Sequence, residues 1–221
     1  MKHETHSEPI THPSRTKQIV ELCQESTSLW DHTSGSYLNG DRRAEAIHEE
    51  VKEIHKTLGE DTKNRLTGND CRLLRFVELE KNTSSSGRFR SWFWIDLLYK
   101  EDSNGDEIEY DKMGSFDNGA HVFRIWFTSK GVGIGIKPGL NKDHRTREKL
   151  INELPERYSD LKPLSTPDET NHDLHLTGIR GRFNRYFATW TANGFETDEA
   201  FFEATSSSWL ELGPILNRYR C

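Results

Sequence analysis

The sequence predicts an α+β fold: a mainly antiparallel sheet of four to five strands, flanked by N- and C-terminal helices. Three observations carry this. Apolar residues recur at helical spacing early and late in the chain. The middle holds consecutive runs of branched and aromatic residues. The two patterns do not alternate, as the βα units of a parallel sheet would.

Residues 1–14 are polar, with two prolines and little to bury, and read as a disordered tail. Residues 15–221 then read as one domain. A first helix is predicted from about Arg15 to Leu29, with Ile19, Val20, Leu22 and Cys23 opening its apolar side. Gly35 and Gly40 read as turn residues. A second helix follows, with Asp41 as N-cap and Gly59 just past its end. Ala44, Ile47, Val51, Ile54 and Leu58 form its apolar stripe. His48 and His55 flank that stripe and read as core-edge residues rather than ligands.

The β region opens at about Cys71. The run from Arg90 to Lys100, "RSWFWIDLLYK", is the strongest strand. Asn104-Gly105 marks a hairpin turn. "HVFRIWFTSK" and "GVGIGIK" are two further strands, and Pro138-Gly139 ends the second. A helix near Arg145 to Leu154 follows, with Asp143 as its cap. Pro155 to Thr177 reads as a surface loop. Ile179, Phe183, Phe187 and Trp190, spaced by four, four and three, predict another helix. Asp198 caps a last helix, interrupted by Gly213-Pro214.

Bulk composition narrows the function classes. A net charge of −6 argues against a uniformly basic nucleic-acid binder but leaves room for a local basic patch. Cys23, Cys71 and Cys221 are widely spaced and form no CxxC pair. That predicts neither a zinc knuckle nor a disulfide framework, and suits a reducing cytoplasmic setting. The N-terminal "MKHETHSEPITHPSR" has no apolar core, so no signal peptide is predicted, and no apolar run suggests a membrane partner.

The glycines of "KGVGIGIK" decide which ligands are worth considering. A phosphate loop needs GxxxxGK followed by Ser or Thr, and a dinucleotide fingerprint needs a glycine where Ile136 stands. Neither is present. On a strand, Val132, Ile134 and Ile136 share one face, and Gly131, Gly133 and Gly135 leave the other bare. A bare face invites close approach, either of a packed helix or of a planar ligand.

Alternation in the neighbouring strands supplies the rest of that face. Phe93, Ile95, Leu97 and Tyr99 read as core, as do Phe123, Ile125 and Phe127. Trp92, Trp94 and Asp96 point the other way, with Val122, Arg124 and Trp126. In suitable register, Trp92, Trp94, Asp96, Arg124, Trp126 and Gly133 become one ligand-binding surface. Its indoles would stack on a flat ring, while Asp96 and Arg124 would read the ring's donors and acceptors. The alternative is a second core layer under the terminal helices, with Asp96 and Arg124 as an ion pair. Arg180, Arg182 and Arg185, interleaved with Phe183, Tyr186 and Phe187, are candidate phosphate contacts.

The run from "SWFWIDLLYK" through "HVFRIWFTSKGVGIGIKPGL", within about Arg90 to Leu154, resembles the N-terminal domain of McrB-type modification-dependent restriction proteins. Trp92 and Phe93 match that family's aromatic pair, with Ser91 in place of its proline. The resemblance implies DNA binding, with a modified base extruded into an aromatic pocket. The chain also resembles a family of uncharacterised single-domain bacterial proteins of similar length. Leu29-Trp30, the helix after Asp41, "NDCRLLRF" and "LGPILNRY" follow that family's order.

Catalytic signatures are sparse. Asp61-Thr62-Lys63 and Glu50-Val51-Lys52 have the acid-x-Lys spacing of a nuclease but lie in helical or loop context. His172 and His175 lie three apart near acids, without an HExxH pattern, and there is no GxSxG. The sequence therefore predicts a non-enzymatic recognition domain, without cofactor or metal, for a planar ligand or nucleic-acid base. DNA or a nucleotide-like ligand is the partner, and defence against foreign DNA the setting. The alternatives are a metal-dependent hydrolase or nuclease using His172 and His175, and a partner-binding protein without a small-molecule site.

Overall fold

The computed structural model describes residues 13–32, 37–66, 74–79, 92–108, 121–139, 144–160 and 187–220. It has the α+β architecture that the sequence predicts. Helix α1 spans Arg15–His32 and α2 spans Tyr37–Arg65. Strands β1 (Leu74–Val77), β2 (Phe93–Tyr99), β3 (Val122–Thr128) and β4 (Gly131–Lys137) follow. Then come α3 (His144–Asn152), the two-residue β5 (Ser159–Asp160), β6 (Phe187–Ala192) and α4 (Asp198–Arg218). The strands form one six-stranded sheet in the order β1-β2-β3-β4-β6-β5, one more than the sequence predicts. Every pairing in it is antiparallel.

Helices α1, α2 and α4 all pack on one face of this sheet. The core between them is made by the alternate residues that the sequence singles out. Phe93, Ile95 and Leu97 of β2 meet Phe123, Ile125 and Phe127 of β3, and Val132, Ile134 and Ile136 of β4. Ile19, Val20 and Cys23 close it from α1, and Ile47, Val51 and Leu58 from α2. Phe201, Trp209 and Leu212 close it from α4. Trp209 meets the Phe123 ring edge-on at 5.3 Å, and Cys23 Sγ donates to the Phe127 carbonyl at 3.6 Å.

The ends of the helices tie the termini together. Ser14 Oγ accepts from Lys17 N, caps α1, and donates to the Phe195 carbonyl. Thr197, rather than Asp198, is the N-cap of α4, because its side chain accepts from Ala200 N. Asp198 turns instead to Arg15, accepting from its backbone N at 2.8 Å and its Nε at 2.6 Å. A hydroxyl can serve the helix, which leaves the carboxylate for the guanidinium.

Two helix breaks predicted at glycine do not occur, and packing explains both. Helix α2 runs through Gly59 to Arg65, because a Cβ at Gly59 would lie 2.2 Å from the Phe76 ring. The glycine lets β1 approach the helix, at an intrinsic cost of about 1 kcal/mol. It therefore does not end α2. Helix α2 also starts earlier than Asp41, at Tyr37, and takes in Gly40. Helix α4 likewise continues through Gly213 and Pro214 to Arg218. A Cβ at Gly213 would come within 2.8 Å of the Trp209 indole, and the Gly213 carbonyl accepts from Tyr99 Oη at 3.4 Å. Pro214 withholds a donor only from Leu210, which is 62% exposed, so water can take that bond.

The Asn104-Gly105 turn is present. Gly105 has φ +87°, and Asp102 Oδ1 accepts from the backbone N of Asn104 and Asp106. The predicted helix from Ile179 through Trp190 is corrected at its described end. Phe187–Ala192 is strand β6, paired with β4 along its length. Phe187 and Trp190 fit a helical period, but "FATWTA" alternates as well, and pairing with β4 supplies the backbone partners a strand needs.

Candidate aromatic site on the second sheet face

The sheet face opposite the helices is built by register. Trp94 of β2 lies directly across from Trp126 of β3, Trp126 from Gly133 of β4, and Gly133 from Trp190 of β6. The next row along is Asp96, Arg124, Gly135 and Ala188. Directly opposed residues share a face, so both rows look the same way. Trp92 precedes β2, and its ring lies 4.9 Å from that of Trp94.

This brings together all six residues proposed for the ligand surface, and adds Trp190. Strand alternation in "FATWTA" was the signal that could have found it. The exposure is graded. Trp92, Trp94 and Trp190 are half-buried, whereas Trp126 is only 3% exposed.

Asp96 and Arg124 do not have the role expected of them. Arg124 donates from Nε to Asp96 Oδ1 and from Nη2 to Oδ2, both at 2.5 Å, with both side chains essentially inaccessible. The fork is committed within the protein, and the predicted reading of a ligand's donors and acceptors is replaced by the ion pair. Such a pair offsets the desolvation of two buried charges only when the geometry is bidentate, as here. The guanidinium carbon also lies 5.1 Å from the Trp94 ring centre and 5.9 Å from that of Trp126. The face is therefore aromatic and locally neutral.

Gly131, Gly133 and Gly135 are buried, as is every residue of β4. At Gly131 and Gly135 the need for glycine is set by the backbone of β6, the strand paired with β4. A Cβ at Gly135 would fall 1.8 Å from the Phe187 carbonyl oxygen and 2.6 Å from Ala188 Cα. At Gly131, φ is +149°, and a Cβ would meet the Thr191 carbonyl oxygen at 2.2 Å. Side chains on both residues would push β6 away, so the glycines permit its close pairing with β4.

Behind the face, His55 of α2 donates from Nε2 to the Trp94 carbonyl at 2.8 Å. Its ring is buried, which drives its pKa down from 6.5 to about 4, although the Trp94 carbonyl and Asp96 favour the cation. His121, which accepts from Gly139 N through Nδ1, is also pushed down to about 4, by burial and then by Arg147. Unfolded histidines titrate near 6.5, so below that pH the unfolded chain takes up protons that the folded chain refuses. Stability is full above about pH 6.5 and drains as the pH falls towards 4, by about 3 kcal/mol per ring. Urea midpoints measured from pH 7.5 to 4.5 are expected to fall accordingly. His55→Gln, which keeps a donor for Trp94, should make that fall markedly shallower.

Arg180, Arg182 and Arg185 lie outside the described residues, as do His172 and His175. Among the described residues, no group of three His, Cys, Asp or Glu side chains could hold a metal ion. No helix among them is long and apolar enough to cross a membrane.

Fold and site together define an α+β protein with one sheet face under helices and the other lined by indoles around a glycine strip. No family model, curated protein or solved structure matches the chain.

Proposed function

We propose that this chain is a non-enzymatic recognition protein that holds a planar ring, such as a nucleic-acid base, against its aromatic sheet face. The observation that carries this reading is the cross-strand row Trp94–Trp126–Gly133–Trp190. Indoles gain from stacking on flat rings of any base identity, by about 1–3 kcal/mol per base. The half-buried Trp92, Trp94 and Trp190 are the rings a ligand meets first. Asp96 and Arg124 stiffen the platform rather than touch the ligand.

DNA is the proposed partner, and recognition of foreign DNA the proposed role. Support comes from the likeness of the Arg90–Leu154 region to the DNA-binding domain of McrB-type proteins. It comes also from the basic, aromatic run holding Arg180, Arg182 and Arg185. Those arginines would contact phosphates, which position a nucleic acid without reading its sequence. The test is a filter-binding titration with plain and base-modified DNA at two salt concentrations. Binding that weakens as salt rises, and that favours modified DNA, is expected. An absence of salt-dependent binding to either DNA removes the DNA reading.

A further inference from the structure

Resting on that reading, we infer that His55 of α2 is a positioning residue for the aromatic face. From behind the sheet it anchors the end of β2 that carries Trp92 and Trp94, and so sets how well those indoles hold a ring. Strand pairing supports the start of β2 on one side. Strand β3 pairs with β2 from Phe93 to Leu97, but the pairing with β1 stops at Val77–Asp96. Among the described residues, no strand pairs with Phe93, Trp94 or Ile95 on the β1 side. Trp92 and Trp94, two of the half-buried indoles, stand on this stretch. A strand end paired on one side opens more readily than one paired on both.

His55 supplies what β1 does not. Its Nε2 donates to the Trp94 carbonyl at 2.8 Å, and the residue is 1% exposed. A carbonyl only accepts, so the bond requires the tautomer with its proton on Nε2. Nδ1 is then a bare acceptor, and it has no hydrogen-bond partner. Leucine would fill the same space without stranding a polar atom, so the bond to Trp94 is what the imidazole contributes. The way α2 sits on β1 lets it deliver that bond. The Phe76 ring packs 5.2 Å from the His55 ring. Gly59, one turn on, leaves room for Phe76, where a Cβ would lie 2.2 Å from it. Successive turns of one helix face therefore hold β1 near its end and β2 near its start.

The ligand never meets His55, which belongs to the helix layer packed against the sheet. It acts through the backbone it holds. With the carbonyl fixed, the Trp94 side chain keeps its direction relative to Trp126 across the row, and Trp92 is steadied by its contact with Trp94. The platform is ordered before the ring arrives, so binding does not carry the cost of ordering it.

The experiment compares His55→Leu, which keeps the bulk and removes the donor, with His55→Gln, whose amide nitrogen can take the place of Nε2. The full chain is used, at a temperature where melting shows every variant to be folded. Without ligand, quenching of tryptophan fluorescence by acrylamide is expected to rise in His55→Leu and to return towards wild type in His55→Gln. In a Trp92→Phe/Trp94→Phe background, His55→Leu should leave quenching unchanged, because the rings that His55 holds are gone. In the DNA filter-binding titration, His55→Leu is expected to weaken binding about fivefold, which is what one ordinary hydrogen bond contributes. His55→Gln should regain most of that loss. In a Trp94→Ala background, His55→Leu should cost little further, a non-additivity that a general loss of stability would not produce. The inference is overturned by equal quenching of wild type and His55→Leu, by a glutamine variant no better than leucine, or by equal losses of affinity with and without the Trp94 indole. Each of these leaves the recognition reading standing. Failure of the wild type to bind DNA overturns that reading and the part of His55 in affinity, while the quenching comparison still decides the anchor.

Discussion

Arg124→Met lowers the unfolding free energy by about 3–5 kcal/mol, as expected when one partner of a buried ion pair is removed. Asp96 is 1% exposed and Arg124 2%, so water cannot substitute for the missing partner. The loss has two components. The carboxylate of Asp96 loses both of its 2.5 Å donors, and Trp94 and Trp126 lose the guanidinium stacked against them. Methionine keeps much of the side-chain volume, so the loss reports charge rather than a cavity. The double variant Asp96→Leu/Arg124→Met removes both charges and should regain most of the stability. Urea unfolding of the wild type, the two single variants and the double variant forms a double-mutant cycle. A coupling energy of several kcal/mol is expected. Additive single losses would mean that the two groups are solvated separately.

Gly135→Ala should cost about 3 kcal/mol or more, an unusually large loss for adding one methyl group. The added carbon would fall 1.8 Å from the Phe187 carbonyl oxygen, and that obstacle is backbone rather than a side chain that can rotate. Relief requires β6 to move off β4, breaking the pairing from Phe187 to Ala192 and with it the β5 edge. Gly105→Ala is the useful comparison. Its surroundings are open and only its φ of +87° resists alanine. It should lose about 1–2 kcal/mol, from backbone strain alone. Equal losses at the two positions would mean that β6 does not press on the glycine strip.

The parts of this fold that are legible in the sequence are those where one period dominates. Strands β2, β3 and β4 alternate cleanly over seven residues each, so their two faces and the composition of the indole face follow from residue identity. The stripe of Ile47, Val51 and Leu58 announces α2 in the same way. What was missed depended on tertiary context. Trp190 sits in a run that fits both periods, and only the backbone of β4 decides between them. Gly59 and Gly213-Pro214 carry local stop signals that close packing against Phe76 and Trp209 overrides. The mutual engagement of Asp96 and Arg124 follows from their being direct cross-strand partners. Shifting the register by two residues would have left both facing the same side without a mate.

The most direct test compares wild type and Trp94→Ala in the same DNA filter-binding titration, at a temperature where melting shows both to be fully folded. Trp94 is half-buried, stacks with Trp92, and begins the row that reaches Trp190. If the indole face is a binding surface, the variant loses at least tenfold in affinity, while the salt dependence set by phosphate contacts is unchanged. An affinity equal to that of wild type would show that these tryptophans serve only as a second layer of packing, and would contradict the account.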